Sequence, residues 1–371
     1  NAVYRFPTIE TLAAYIDSVR GGHTHDVTPG DSVLVTLKAG QDAGAPPLFV
    51  IASAGGTLGA YEKVVRALRT TREVIGVRDP YLWGERDPTL GFQSWIALYL
   101  NAIRQRQPKG PYYLAAYSSA GAFGYEIARH VRQNGEQVAL LALIDPVAMD
   151  RASKWRFGYW ALEARFMRRP FARLVALGGW LRGILPRRRR TNGASTFAND
   201  FAFTREQFLE LEAKVKTSQQ HILQLSALLE LNTGLPFALT PEELAPLEPE
   251  RYLGALLEKV RSVAPDVETE TIEKLVVQYQ MQVRSQHQYR FQRFDGTLVL
   301  FDPDGPHHGL LASQFRPYVN RLLVHRVALA PPVDRTRELA EYLPKSLRSH
   351  YLSMRNDAFV KAVARELDKL L

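Results

Sequence analysis

The chain has 371 residues, of which 46% are hydrophobic, and it carries a formal net charge of +9. This length can bury one large core or two smaller ones, so we expect a globular protein. The lack of cysteine excludes disulfides, thiolate metal sites and a cysteine nucleophile. The sequence has neither a signal-peptide pattern at its start nor an apolar run of membrane-spanning length. We therefore expect a cytoplasmic protein without a membrane partner.

The positive charge is concentrated in residues 151–191, which hold 12 Lys or Arg residues and a single acid, Glu163. The rest of the chain carries a slight net negative charge. Such a local basic face suits an acidic protein that docks at one spot better than a nucleic acid duplex, so we expect no nucleic-acid partner. A solvated helix face followed by a loop at Arg187–Arg190 explains the same charge equally well.

The first 150 residues predict a short helix, a linker and then alternating strands and helices. Residues 1–20 predict a loop followed by a helix, and residues 21–45 predict a polar linker with glycines. The predicted strands cover 45–52, 71–79, 111–117 and 137–145, and the predicted helices cover 60–69, 92–108 and 121–135. This alternation is typical of a parallel α/β sheet with helices on both faces.

The alternation stops after residue 145, and residues 151–294 contain only helical periods. The strands resume at 296–302 and 321–329, and a helix over 356–371 closes the chain. We therefore predict one mostly parallel α/β sheet, formed by residues 46–150 and 295–371, with a large helical insertion. The insertion would stand over the carboxyl ends of the strands as a lid, because such sheets bind ligands there. Candidate residues for an apolar lining are Trp155, Trp160, Phe166 and Leu177, although such helices also simply pack on one another.

The stretch AAYSSAGAF, residues 115–123, joins a predicted strand directly to a predicted helix. A tight turn between the two can hold a serine in a strained conformation with its hydroxyl exposed, and its flanks must be small because strand and helix approach closely. The flanking positions lie two residues to each side of the serine. Around Ser118 they are Ala116 and Ala120, whereas around Ser119 they are the bulky Tyr117 and Gly121. Ser118 is the better nucleophile. The alternative interpretation is a small-residue turn that serves packing alone.

A serine nucleophile needs a histidine that takes its proton and a carboxylate that orients this histidine. Asp145 ends the strand that follows the serine's helix, so the parallel sheet places it on the same edge, and Asp302 after a later strand is the rival acid. The candidate bases are His307 and His308 on one side and His350 on the other. His350 precedes the last helix, in a predicted loop, which is the better topological position.

Four segments of this chain resemble the type I thioesterase domains that end nonribosomal peptide and polyketide assembly lines, which have the α/β-hydrolase fold. PPLFVIASAGGTLGAY resembles their first strand and oxyanion loop, and PYYLAAYSSAGAFGYEIA their nucleophile turn and helix. VALLALIDP resembles their acid strand, and SHYLSMRNDAFVKAVARELDKLL their closing segment. The last match favours His350 as the base. Ala52, where the family often has histidine, and the alanines that flank the nucleophile depart from the family pattern.

The resemblance implies a role for each site residue. Ser118 would attack a thioester, His350 would act as base and then as acid, and Asp145 would orient His350. The backbone N–H groups of Ser119 and Ala54 would hold the oxyanion, and such donors are worth ~3 to 4 kcal/mol each in the transition state. The resulting acyl-enzyme would then lose its acyl chain to water or to an internal nucleophile.

The resemblance also implies the partner and the substrate. The substrate would be a peptidyl or polyketide acyl chain presented on the phosphopantetheine arm of a carrier domain, with no cofactor bound by this chain. Residues 1–20 resemble the last helix of such a carrier, and Arg187–Arg190 would receive the acidic carrier.

Two alternatives belong to other functional classes. Gly56 and Gly59 fit two of the three glycines of a dinucleotide-binding loop, and Asp79 ends the next strand, which would suit an NAD(P)H-dependent reductive release domain. However, Ala54 stands where the first glycine belongs. The second alternative is a hydrolase fold that has lost catalysis and serves as an interaction module.

Overall fold

The computed structural model describes residues 33–42, 44–53, 56–79, 81, 91–147, 205–286, 289–304, 310–332, 334–342 and 348–371. The predicted N-terminal helix at 1–20 and the basic segment at 151–191, with its candidate pocket residues, lie outside the described residues. So do Ala54, His307 and His308.

A seven-stranded sheet forms the centre of the described structure. Its strands are β1 Leu34–Lys38, β2 Leu48–Ile51, β3 Val74–Val77, β4 Tyr112–Tyr117, β5 Val138–Ile144, β6 Phe294–Pro303 and β7 Val319–Val327. Their order in space is β1-β3-β2-β4-β5-β6-β7. Only the edge strand β1 is antiparallel to its neighbour, and all other pairs are parallel. The predicted mostly parallel sheet is confirmed.

The helices divide by their position in the chain into those before or after the insertion and those within it. The first group is α1 Glu62–Ala67, α2 Phe92–Arg106 and α3 Ala120–Gln133, followed late in the chain by α9 Leu310–Phe315, α10 Asp334–Glu341, α11 Arg348–Ser353 and α12 Asp357–Leu370. The second group is α4 Arg205–Lys216, α5 Gln219–Thr233, α6 Pro241–Leu244, α7 Tyr252–Val263 and α8 Thr269–Gln286. The described part of the insertion is therefore helical, as predicted. No helix within the described ranges is both long and apolar enough to cross a membrane.

The two faces of the sheet bury separate cores. Side chains alternate along a strand, so Phe49 and Ile51 of β2 belong to one core while Leu48 and Val50 belong to the other. The first core also contains the buried faces of α2, α3 and insertion helices such as α7, and the second contains those of α1 and α12. A fully apolar strand such as β2 is buried on both sides, which is why its sequence shows no polar alternation.

One part of the domain prediction is wrong. The range 21–45 was expected to be a linker, but Leu34–Lys38 within it form strand β1, with Leu34 opposite Val77 of β3. This strand is five residues long and only partly buried at the edge of the sheet. A short edge strand has a weak sequence signal because one side of its backbone has no strand partner and its side chains are half exposed.

The insertion contacts the sheet at the carboxyl end of β3. The side-chain amide of Gln278 in α8 donates a hydrogen bond to the carboxylate of Asp79, and both side chains are buried. Asp79 lies two residues beyond the end of β3, directly after Arg78. Helix α8 therefore lies over the edge of the sheet where parallel α/β folds bind ligands.

A buried carboxylate on α3 connects this helix to the chain that leaves the insertion. Glu126 is 1% exposed and accepts hydrogen bonds from Arg129, at 2.8 Å to Nε, and from the Tyr289 hydroxyl at 2.6 Å. Burial raises the pKa of Glu126, but the hydrogen bonds from Arg129, His130 and Tyr289 and the Arg129 charge outweigh it and lower this pKa to about 2.

We expect the carboxylate of Glu126 to make the free energy of unfolding depend on pH. A folded-state pKa below the unfolded value of about 4.5 means that Glu126 stabilises the fold above pH 4.5, and that this contribution is lost as the pH falls towards 2. This shift of the Glu126 pKa corresponds to a contribution of about 3 kcal/mol to the free energy of unfolding. Urea unfolding from pH 6 to pH 2.5 should show a steeper loss of stability in wild type than in Glu126→Gln. Parallel curves would contradict the assignment.

Candidate active site

Ser118 lies in the sharp turn between β4 and α3. Its φ of 60° is in the left-handed region, which is uncommon for any residue other than glycine. The turn is held on both sides, because the Ser118 N–H donates to the carbonyl of Ile144 at 3.1 Å and the Ser118 carbonyl accepts from the N–H of Gly121 at 3.0 Å. Strained backbone of this kind persists where the surrounding structure fixes it, and it is common at active sites.

The turn leaves no room for larger side chains. A Cβ added at Gly124 would lie 2.8 Å from the Cβ of Ala116, and one at Gly121 would lie 2.7 Å from the Cβ of Pro146. Helix α3 therefore approaches both β4 and the end of β5 more closely than side chains normally allow. This contact explains the small residues from which the turn was predicted.

His350 is the base candidate that the structure brings to Ser118. Its Nε2 lies 2.7 Å from the Ser118 Oγ, and the two side chains are separated by 232 positions in the chain. His350 is 7% exposed. It was expected in a loop, but it lies in the short helix α11, where the Ser353 hydroxyl donates to the His350 carbonyl at 2.9 Å. Its former rivals His307 and His308 are outside the described residues.

Asp145 is the acid candidate that the structure brings to His350. Its Oδ2 lies 3.1 Å from the His350 Nδ1, and it is 4% exposed. Asp145 also has a left-handed backbone, with φ of 41°, and its N–H donates to the carbonyl of Phe301 at 2.8 Å. The rival acid Asp302 is equally buried and lies within β6, opposite Arg326 of β7.

The oxyanion donors are described only in part. Ser119 immediately precedes α3, so its N–H is among the N-terminal groups that a helix leaves without an internal partner. Ala54 lies outside the described residues. Of the described residues on its two sides, the Gly56 N–H donates to the Ser53 carbonyl at 2.9 Å. Within the described parts of the chain, no group of three or more His, Asp or Glu side chains is placed to hold a metal ion.

Two tyrosines at this edge were missed by the sequence analysis. The Tyr117 hydroxyl donates to the His350 carbonyl at 2.8 Å, and its ring stacks on the imidazole with centroids 5.5 Å apart. The Tyr61 hydroxyl bridges the Ile51 carbonyl and the Tyr117 N–H. Burial raises the pKa of Tyr61 well above its usual value, so its hydroxyl stays protonated. The position of Tyr117 directly before Ser118 was the one available signal.

Comparison with known proteins identifies related sequences. Residues 46–184 match the family model described as thioesterase domain. A non-reducing polyketide synthase, atnG of Arthrinium sp., is 37% identical over 114 residues, which are 30% of this chain and 6% of that protein. Malpibaldin synthetase of Mortierella alpina is 31% identical over 148 residues, which are 40% of this chain and 3% of that protein. The chain thus spans only a small fraction of these relatives.

Solved structures share the fold at lower identity. A four-domain nonribosomal peptide synthetase, holo-AB3403, has a TM-score of 0.60 at 19% identity, over 99% of this chain and 22% of that one. The Vlm2 thioesterase domain has a TM-score of 0.52 at 15% identity, over 91% of this chain and 96% of that one. Together with the parallel sheet, these matches confirm the predicted α/β-hydrolase fold.

We expect the closeness at the turn to make Gly124 hard to replace. In Gly124→Ala the new methyl group meets a Cβ fixed to the backbone of β4, so the free energy of unfolding should fall by about 1–2 kcal/mol despite the better helix propensity of alanine. Gly254 in α7 is the matched control, because a Cβ there meets nothing within 4 Å. Gly254→Ala should be neutral or stabilising by up to about 1 kcal/mol. Urea unfolding of both variants measures this, and an unchanged Gly124→Ala would refute the close approach.

Proposed function

We infer that this chain, whose residues 46–184 belong to the thioesterase domain family, releases an acyl chain from a carrier through an acyl-enzyme on Ser118. The observation that carries this proposal is the 2.7 Å contact between the Ser118 Oγ and the His350 Nε2, made on a strained turn inside the matched region. A serine hydroxyl becomes a strong nucleophile only when a base within hydrogen-bond distance takes its proton.

The proposed reaction has two acyl transfers. In the first, the Ser118 Oγ attacks the thioester carbonyl while its proton passes to the His350 Nε2. The carbonyl oxygen becomes an oxyanion, which the N–H groups of Ser119 and Ala54 would stabilise. The tetrahedral intermediate collapses to an ester on Ser118, and the thiol leaves with the proton from His350. In the second, His350 deprotonates water or a nucleophile of the chain itself, which attacks the ester and restores Ser118.

Asp145 would support both steps by holding His350. A carboxylate beside Nδ1 keeps the proton on that nitrogen, leaves Nε2 free to accept, and stabilises the imidazolium that forms. The 3.1 Å separation from the Asp145 Oδ2 supports this role. Both groups are almost fully buried, so their attraction is screened less than it would be in water.

The substrate and partner are proposed from the same family. The relatives include polyketide synthases, and one structural match is to a nonribosomal peptide synthetase. We therefore propose a polyketide or peptidyl chain on the phosphopantetheine arm of a carrier domain. The divisions proposed from the sequence, with a carrier remnant at 1–20 and a lid at 151–294, fit this arrangement. Arg187–Arg190 remain the proposed docking site for the acidic carrier.

The nucleophile can be identified by intact-protein mass spectrometry after incubation with a carrier-loaded acyl chain. Wild type should gain the mass of the acyl group, and Ser118→Ala should gain none. Ser119→Ala is the matched control, because it removes the neighbouring hydroxyl and keeps the proposed backbone donor, so it should still be acylated. His350→Ala should lose acylation by at least about 10³-fold.

The outcomes separate the competing functions. Acylation that persists in Ser118→Ala would refute the proposed nucleophile. A wild-type protein that binds carrier without acylation would favour the non-catalytic module, and release that requires NADPH would favour the reductase. The mass of the released product distinguishes hydrolysis from ring closure, because hydrolysis adds one water.

The two buried aspartates give a second test. Asp145→Asn should lower kcat by about 10⁴-fold, because an amide favours the wrong histidine tautomer. Asp302→Asn is the matched control and should retain activity within about tenfold, since its change does not alter the carboxylate at 3.1 Å from Nδ1. Thioester hydrolysis should be measured below the unfolding temperature of each variant. A larger loss of kcat in Asp302→Asn than in Asp145→Asn would identify Asp302 as the acid.

A further inference from the structure

A buried side chain connects the ends of β2 and β4. The Tyr61 hydroxyl donates to the Ile51 carbonyl at 2.6 Å and accepts from the Tyr117 N–H at 2.6 Å. Tyr61 is 1% exposed and lies in the 3₁₀ turn Gly59–Tyr61, which follows the proposed oxyanion loop in the chain. Its hydroxyl is thus placed between two parallel strands at the edge that carries the site.

The groups that Tyr61 joins are neighbours in the strand ladder. Ile51 lies opposite Ala116 in the parallel pair of β2 and β4, so the Ile51 carbonyl and the Tyr117 N–H are next in line for a direct hydrogen bond. The Tyr61 hydroxyl contacts both groups at 2.6 Å, so it connects the two strand ends. It does so at the point where β2 continues towards the proposed oxyanion donor and β4 continues into Ser118.

Tyr117 extends this connection to the base. Its hydroxyl donates to the His350 carbonyl at 2.8 Å, and its ring lies nearly parallel to the imidazole, at an interplanar angle of 17°. The two tyrosine rings contact each other edge to face, with centroids 6.4 Å apart. One continuous set of contacts therefore runs from the end of β2 through Tyr61 and Tyr117 to His350.

We propose that Tyr61 and Tyr117 are positioning residues, which set the distances between the oxyanion loop, Ser118 and His350. The proposal rests on the proposed function. The Tyr61 hydroxyl fixes the separation of the two strand ends, and Tyr117 fixes the helix that carries the base. Neither side chain would touch the reacting atoms. Their contribution would appear in the rate of the chemical step, because misplacing reactive groups by about 1 Å can cost about 100-fold.

Fold stability alone does not require the hydroxyl of Tyr61. A phenylalanine would fill the same volume in the core that also contains Val64 and Met354, and the Ile51 carbonyl and the Tyr117 N–H are neighbouring groups of one ladder that can pair with each other. Such pairing would satisfy both backbone groups, while loss of the hydroxyl would release the segment after β2 relative to Ser118. A positioning role and a structural role therefore predict different outcomes for this substitution.

The test measures labelling of the full chain by an alkyl fluorophosphonate, which reacts with an activated serine and forms an oxyanion-like group. The maximal rate constant kinact and the half-saturation concentration KI are determined for wild type, Tyr61→Phe and Tyr117→Phe. Tyr125→Phe is the matched control, because Tyr125 is a buried tyrosine in the middle of α3 whose hydroxyl donates to the backbone carbonyls of Gln292 and Tyr318, away from His350. Thermal unfolding of each variant accompanies the kinetics.

We expect kinact to fall at least about tenfold in Tyr61→Phe and in Tyr117→Phe, with KI changed less than twofold. Tyr125→Phe should keep wild-type kinact. In Tyr117→Leu, which also removes the ring, kinact should fall further than in Tyr117→Phe, so retention of the ring gives partial rescue. If Tyr61→Phe does not fold, the comparison of kinact between wild type, Tyr117→Phe and Tyr117→Leu still tests the proposal.

Different results overturn different claims. Wild-type protein that is not labelled at Ser118 would refute the proposed function. Wild type that is labelled normally, with both phenylalanine variants matching it, would refute the positioning role alone. A fall in kinact that Tyr125→Phe reproduces, or a change confined to KI, would also refute it.

Discussion

The left-handed backbone of Ser118 is the constraint on which the rest of the site depends. A φ of 60° turns the chain from strand β4 directly into helix α3, which places the side chain at the edge of the sheet above the start of the helix. The cost of this conformation, of order 1–3 kcal/mol, must be offset by the surroundings. Hydrogen bonds to Ile144 and Gly121, and glycines where α3 meets its neighbours, provide those surroundings.

The parallel sheet brings the remaining groups to the same edge. Ser118 follows β4, Asp145 follows β5, and β2, which ends three residues before Ala54, runs in the same direction. All three therefore leave the sheet at carboxyl strand ends, whatever their separation in the chain. His350 belongs to no strand, and the short helix α11 positions it instead. Its contact with Tyr117 gives this helix a direct connection to strand β4.

The sequence predicted the central sheet well because buried parallel strands and amphipathic helices have strong and different patterns. The small residues around Ser118 indicated the turn, since a close approach of helix and strand excludes larger ones. The choice between His350 and the pair His307 and His308 was different. No local pattern separates them. The position of His350 before the last helix favoured it, and the resemblance of the closing segment decided for it.

Strand β1 and the roles of two tyrosines could not be predicted from residue types alone. Strand β1 is short, partly exposed and confined to the sheet edge, so its pattern resembled a linker. The roles of Tyr61 and Tyr117 arise from tertiary hydrogen bonds, and the one between Tyr61 and Tyr117 spans 56 positions. A buried tyrosine looks like any other core aromatic until its hydroxyl partner is known. The sequence favoured Asp145 as the acid, but Asp302 stayed as its rival because both follow strands of the parallel sheet.

The central claim is that Ser118 attacks with His350 as its base and with the N–H of Ser119 facing the developing oxyanion. A crystal structure of the protein after reaction with an alkyl fluorophosphonate tests this most directly. We predict a phosphonyl group bonded to the Ser118 Oγ, with its oxygen about 3 Å from the Ser119 nitrogen and His350 still beside the Oγ. A phosphonyl group on another residue, or an oxygen directed away from the start of α3, would contradict it.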